Sequence, residues 1–226
     1  VLKFTAQWEK EEYTLVYHAN GGYLTRDPKK DKTSSTFQVG KEATLKNAET
    51  FTRVGYTFVG WATDENAATK EYDGSQKFAT GYPGAVKDGK YDLYAVWTPK
   101  HDVKYTVKYV RADDHDVTVA TTKTVENQTF DTTVEETAVS VTGYTVVAPD
   151  KQSVKLDAYN KVIIFEYTPN TDVSYTVKYV RQDDHTVELA AEKKVENKTF
   201  DTTVEETAVS VTGYTVVAPD KQSVKL

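Results

Sequence analysis

The strongest constraint in this chain is that part of it is written twice. Residues Tyr105 to Leu156 lie on Tyr175 to Leu226 without a gap, 70 residues apart, and 44 of the 52 positions match. The eight differences are Ala112/Gln182, Asp116/Thr186, Thr118/Glu188, Val119/Leu189, Thr121/Ala191, Thr122/Glu192, Thr124/Lys194 and Gln128/Lys198, all in the first half of the repeat. A repeat of this size points to tandem small units and not to one large core. A unit of ~70 residues buries only about 60 % of its unfolded surface, so it gains from neighbours.

A weaker echo runs through the first hundred residues. YTLVY at Tyr13 to Tyr17 parallels YTVKY at Tyr105 and at Tyr175. GYTFV at Gly55 parallels GYTVV at Gly143 and Gly213, and LYAVWTP at Leu93 to Pro99 parallels IFEYTP at Ile164 to Pro169. Each unit therefore carries an opening strand, a central Gly-Tyr-Thr strand and a closing strand ending in aromatic-Thr-Pro.

Within the repeat, Tyr105, Val107 and Tyr109 alternate with Thr106 and Lys108, the period-2 signature of a strand with one wet face. Asp113 to Asp116 break that pattern and predict a hairpin tip before Val117 to Val125. Thr132-Thr133-Val134-Glu135 has capping-box spacing and predicts a helix of at most two turns. Gly143 to Val147 and Val162 to Tyr167 supply two more strands. The predicted order, β-β-(short α)-β-β, makes each unit a small β-grasp-like, β-rich α+β fold, with the units beaded into an elongated array. In the first unit the extra length, roughly Ala62 to Lys90, predicts surface loop and hairpin.

The expected boundaries are residues 1–8 as the closing strand of an upstream repeat, 13–99 as the first unit, 105–169 as the second, and 175–226 as a third that lacks its closing strand. The missing initiator Met predicts an excised or processed fragment. An open edge in the last unit is a template for strand addition, for which Leu2 to Trp8 of another molecule is the obvious donor. A rival phase starts each unit with the strand named closing here, and the sheet joined by Val162 to Tyr167 separates the two.

Composition removes several function classes. Lys plus Arg is 28 against 34 for Asp plus Glu, so the chain is acidic at net −6 and poorly suited to nucleic acid. The acidity lies in residues 100–226, because residues 1–99 hold 13 charges of each sign. No aliphatic or aromatic run, Val162 to Phe165 among them, approaches the ~20 residues of a spanning helix. With no Cys there are no disulfides or thiolate sites.

The residues also argue against catalysis. His18, His101, His115 and His185 are scattered, and no Ser sits in a strand-elbow-helix context. Asp113, Asp114, His115 and Asp116 fit no EF-hand or His-x₃-His spacing, so they read as a solvated tip and not a cation site. Glu135-Glu136 and Glu205-Glu206 are adjacent, cannot share a face, and read as charged surface. Trp8, Trp61 and Trp97 invite carbohydrate stacking, but aromatics at period 2 in thin units read first as core, as do Val134, Val139, Val141 and Val146. No catalytic, cofactor-binding or metal residue is assigned, no cofactor is expected, and no ligand-binding residue is identified.

Residues Tyr13 to Trp97, with YTLVYHANGG, GYTFVGWATDENA and LYAVW, resemble the Listeria–Bacteroides repeat of internalin-type bacterial surface proteins. Residues Tyr105 to Pro169, with YTVKYVRADD, KTVENQTF, GYTVVAPD and VIIFEYTP, are similar to the mucin-binding-protein (MucBP) repeat of Gram-positive cell-wall adhesins, and Tyr175 to Leu226 resembles most of a second copy. At the hairpin tip the chain has RADDHD or RQDDHT where the MucBP pattern carries an Asp-Gly-type turn. The resemblance implies β-grasp-type units, a secreted, wall-attached parent protein, and repeat modules that bind host mucin or other glycans. The alternative is a stalk that displays a distal adhesive domain and has no ligand of its own.

Overall fold

A computed structural model of the chain describes residues 2–79 and 89–226. Among them every regular element is a strand, so the expected α+β character is corrected to all-β. No helix among the described residues is long and apolar enough to cross a membrane. The chain divides into two compact units: Val1–Val103 with Asn127–Thr132 and Leu156–Ala158, and Lys104–Glu126 with Thr133–Lys155 and Tyr159–Leu226.

The first compact unit contains β1 (Glu12–His18), β2 (Tyr23–Leu24), β3 (Lys32–Gln38), β4 (Ala43–Thr44), β5 (Phe51–Thr52), β6 (Tyr56–Ala62), β7 (Lys77–Phe78) and β8 (Lys90–Pro99). Its main sheet has the order β3-β1-β8-β6. β1 runs antiparallel to β3 and parallel to β8, from Thr14↔Lys90 to His18↔Tyr94, and β6 closes the sheet antiparallel to β8. Alternation in β1 sends Tyr13, Leu15 and Tyr17 inward, where they bury fully while their neighbours stay partly exposed. The core centres on Trp61, ringed edge-on by Tyr17, Phe51 and Phe58 at 4.9, 6.0 and 5.0 Å between centroids. Within the insertion, turns after Ala62 lead back to a local antiparallel bridge between Trp61 and Tyr72, as a hairpin requires, and then to β7, which pairs with β4. The remainder of that expected loop and hairpin, residues 80–88, lies outside the described residues.

Leu2 to Trp8, expected as a strand, has no regular structure, and Leu2, Phe4 and Trp8 are almost fully exposed. A lone apolar-alternating segment has no ladder to join, and a strand exists only through its partner.

Next come β9 (Val103–Arg111), β10 (Thr118–Gln128), β11 (Thr133–Thr137), β12 (Tyr144–Val146), β13 (Lys151–Lys155) and β14 (Lys161–Pro169). The sheet order β10-β9-β14-β12 repeats that of the first unit strand for strand. β14 lies parallel beside β9, from Lys161↔Tyr105 to Tyr167↔Arg111. Val162 to Tyr167 thus joins the sheet holding Tyr105 to Tyr109. Tyr105, Val107 and Tyr109 bury against Ile163, Phe165 and Tyr167, with Tyr109 stacked on Phe165 at 6.1 Å.

The expected helix is strand β11, paired antiparallel with β13. A β-grasp needs a helix laid across its sheet, and the segment expected to supply it is one strand of the two-stranded sheet β11-β13 instead. The reason is local: Thr133, Val134 and Thr137 are β-branched and stiff in a helix, and two-residue alternation turns Val134 and Glu136 inward. In the last copy, β15 (Val173–Val180) pairs with β16 (Glu188–Lys198), and β17 (Thr203–Thr207) pairs with β18 (Lys221–Lys225).

Candidate functional site

The feature that recurs with the same geometry is a seat formed by a Gly–Tyr turn and filled by a Phe–Asp turn. In the first compact unit Gly55 has φ +77°, and the Phe130 ring lies so close that a Cβ at Gly55 would meet its atoms at 2.2–2.3 Å. The Tyr56 ring meets Phe130 edge-on at 5.6 Å, and the Tyr56 hydroxyl donates to Asp131 Oδ2 at 2.8 Å. The Lys100 N–H donates to the Gly55 carbonyl at 2.9 Å, and the Phe130 N–H to the Lys100 carbonyl at 2.8 Å.

In the second compact unit each contact returns. Gly143 has φ +77° and a Cβ there would meet Phe200 at 2.4–2.5 Å. Tyr144 meets Phe200 at 5.4 Å and donates to Asp201 Oδ2 at 2.9 Å. The Asn170 N–H donates to the Gly143 carbonyl at 2.9 Å, and the Phe200 N–H to the Asn170 carbonyl at 2.8 Å. Tyr144 lies on β12, the central Gly-Tyr-Thr strand. Its backbone pairs with β14, but its ring and hydroxyl go to the Phe–Asp turn.

Both halves of the seat are prepared locally. Tyr56, Tyr144 and Tyr214 each donate their N–H three residues back, to Arg53, Val141 and Val211, at 3.1 Å. On the other side Asp131 and Asp201 hold φ of 67° and 64°, a conformation Asp tolerates, with their N–H groups bonded to the Leu156 and Leu226 carbonyls. The ring pair adds about 0.5–1.5 kcal/mol beyond area burial. Burial, then the Asp201 carboxylate, pushes the Tyr144 phenol up. Lys225, then Tyr144, holds the Asp201 carboxyl below its ordinary value.

A second arrangement pins each 70-residue copy internally. Glu136, read from sequence as charged surface, is 7 % exposed. Its two oxygens accept from Lys123 Nζ at 2.8 Å, and Oε1 accepts from the Tyr105 hydroxyl at 2.6 Å. Alternation within a strand corrects the expectation, since it puts Glu135 outward and Glu136 inward, where an unpaired carboxylate would be costly. Burial opposes ionisation of Glu136, but Lys123 and Tyr105 outweigh it and its pKa is lowered. Tyr105 is pushed up to about 12 by burial and by Glu136. Tyr175, Lys193 and Glu206 repeat the arrangement at 2.6 and 2.8 Å. The signal available in sequence was that all three residues recur unchanged at the 70-residue spacing.

The remaining candidates stay apart. His18 contacts Asp92 at 2.7 Å and stacks on Tyr94, His101 contacts Thr129 at 2.8 Å, and His115 pairs with Glu166 at 2.7 Å. At the tips, Asp113 accepts from Arg111, and Asp114 caps its own turn through the Asp116 N–H. Among the described residues no group of three or more His, Asp or Glu is placed to hold a metal. The indole N–H groups of Trp61 and Trp97 donate to the Lys46 and Ala19 carbonyls at 2.8 Å, and both rings belong to the core, whereas Trp8 is exposed. Val139, expected in the core, is exposed as well, because it lies in the irregular segment after β11. A cleft of about 820 Å³ in the last copy is lined by Tyr175, Val177, Tyr179, Val204 and Tyr214. In residues 105–169 the corresponding space is taken by β14, so the cleft is core volume and not a built ligand site.

Residues 13–96 match the family model of the Listeria-Bacteroides repeat domain. Among solved structures, the crystal structure of Mub-RV aligns with 71 % of this chain and 99 % of its own, at 14 % identity and a TM-score of 0.24. The Type 2 repeat of the mucus binding protein MUB from Lactobacillus reuteri aligns with 71 % of this chain and 100 % of its own, at 10 % identity and a TM-score of 0.23. No curated protein matches the chain.

Proposed function

We propose that the chain is a segment of a bacterial surface adhesin, outside the cell and attached to the wall, whose repeats act as linked spacers displaying a distal adhesive domain. The observation that carries this reading is the Gly–Tyr seat filled twice by a Phe–Asp turn. Such a contact ties one motif to the next through side chains and not through a short polar linker alone. The match of residues 13–96 to the Listeria-Bacteroides repeat and the MucBP-like motifs of residues 105–226 support the surface setting. The burial of Trp61, Tyr105 and Tyr109 supports spacing over binding, because these rings are spent on cores and offer no open stacking platform. Charge points the same way, because a net of −6 disfavours approach to acidic mucin glycans.

Immobilised full-length chain probed with purified mucin and a glycan array tests the reading. Spacers show no saturable binding. Saturable binding competed by a free sugar would overturn the spacer role and reinstate the mucin- or glycan-binding module implied by the MucBP motifs.

A further inference from the structure

We propose that Gly213–Tyr214 is a third seat of the same kind, and that its ligand is the Phe–Asp turn of a further repeat of this type. The inference rests on the spacer reading and names the partner surface through which such an array grows. Gly213 has φ +82°, against +77° at both filled seats, and the Tyr214 N–H closes the same 3.1 Å turn onto Val211. The Gly–Tyr turn is therefore already in the receiving shape, which lowers the ordering cost of docking, although Tyr214 to Val216 do not form the strand that Tyr144 to Val146 form. Yet nothing lies within 4 Å of the place a Cβ would take at Gly213, and Tyr214 is 51 % exposed.

The chemistry of the occupant follows from the filled seats. The glycine face takes the flat of an aromatic ring, since Phe130 and Phe200 lie there at distances no Cβ would allow. Next to that ring a carboxylate accepts the phenol hydroxyl, as Asp131 does for Tyr56 and Asp201 for Tyr144. A sugar hydroxyl would satisfy the phenol and leave the glycine face open, and an apolar side chain would do the reverse. A Phe–Asp turn does both. The two such turns in this chain are already seated, so the ligand comes from a further repeat.

Proton NMR reads the seats directly. The α-hydrogen of a filled glycine points into a ring face, so Gly55 and Gly143 resonate upfield of ordinary glycine in the present chain, and Gly213 does not. Lengthening the chain at Leu226 with a second copy of residues 157–226 should move Gly213 upfield. Replacing the added copy's counterpart of Phe200 with Ala should return it. A cyclic peptide of residues 196–205, titrated into the original chain, should produce the same shift saturably, and its Phe200→Ala version none. Gly213 unmoved by both the lengthened chain and the peptide overturns the proposal. So does a Gly213 shift that grows with concentration in the original chain, because the occupant would then be another surface of a second molecule. Gly143 at an ordinary position would instead remove the joint on which the spacer reading stands, so the two failures are distinct.

Discussion

Residues 105–156 and 175–226 differ at eight positions and differ far more in what they bury. Tyr105, Val107 and Tyr109 are buried, whereas Tyr175, Val177 and Tyr179, identical in type and alternation, are only half-buried. Leu156 is fully buried and Leu226 is not. Glu136 is buried where Glu206 is half-exposed, although both keep their Lys and Tyr partners. None of the eight substitutions explains this. The difference is β14, which lies parallel along β9 and carries Ile163, Phe165 and Tyr167 into the core. A repeat of this type has its local geometry written in its own opening half, and its core completed by the strand that arrives last.

The most direct way to break the comparison is to remove that strand's anchor. Phe165→Ala should cost ~3–5 kcal/mol in guanidinium unfolding and leave Tyr105 and Tyr109 as exposed as Tyr175 and Tyr179. A cost under ~1 kcal/mol would mean that β14 does not close the core.

Gly143→Ala set against Gly213→Ala comes next in size. Both variants carry the ~1–3 kcal/mol strain of a left-handed residue, but only the first drives a methyl into Phe200. The expected excess at Gly143 is about 1–3 kcal/mol, as for overpacking, and equal costs would argue that the Phe200 ring does not hold its seat in solution.

Tyr105→Phe should cost about 1 kcal/mol, because a buried carboxylate loses a donor. At Tyr175, where Glu206 is half-exposed and water replaces the hydroxyl, the same change should cost a few tenths. Equal costs at the two sites would show that Glu136 is not buried.

The smallest effect is the pH dependence. A carboxyl lowered in the folded state stabilises it above the ordinary value of 4.5, and that contribution is lost as pH falls through the folded value. Melting temperature should therefore drop on acidification below about pH 4.5, less steeply in Glu136→Gln, which has no such proton to take up. Identical acid limbs in the two proteins would exclude Glu136 as a contributor.

Much of this was legible in the residues. The 70-residue copy and the period-2 strands follow from pattern, because alternation and order are local properties, whereas the sheet that Val162 to Tyr167 joins stayed open between two phases until the pairing of β14 with β9 decided it. The site was less so. Thr132 to Glu135 carried a helix-start pattern that a β-branched run overrode. Glu136 looked like surface because burial of a charge depends on partners 13 and 31 residues away, at Lys123 and Tyr105. The Phe–Asp seats join residues 75 and 57 positions apart, a separation that local pattern does not reach.

The parallel placement of β14 beside β9 has a mechanical consequence. β9 opens its motif and β14 ends it, and the two run the same way through seven register pairs from Lys161↔Tyr105 to Tyr167↔Arg111. Tension applied at Val103 and Pro169 therefore pulls the strands past one another along their length. The evenly spaced bonds of a parallel ladder share that load and yield together, whereas a hairpin pulled at its open end unzips one bond at a time. β1 and β8 stand in the same relation over five pairs. Each sheet is a shear clamp, oriented to resist force that arrives along the polypeptide.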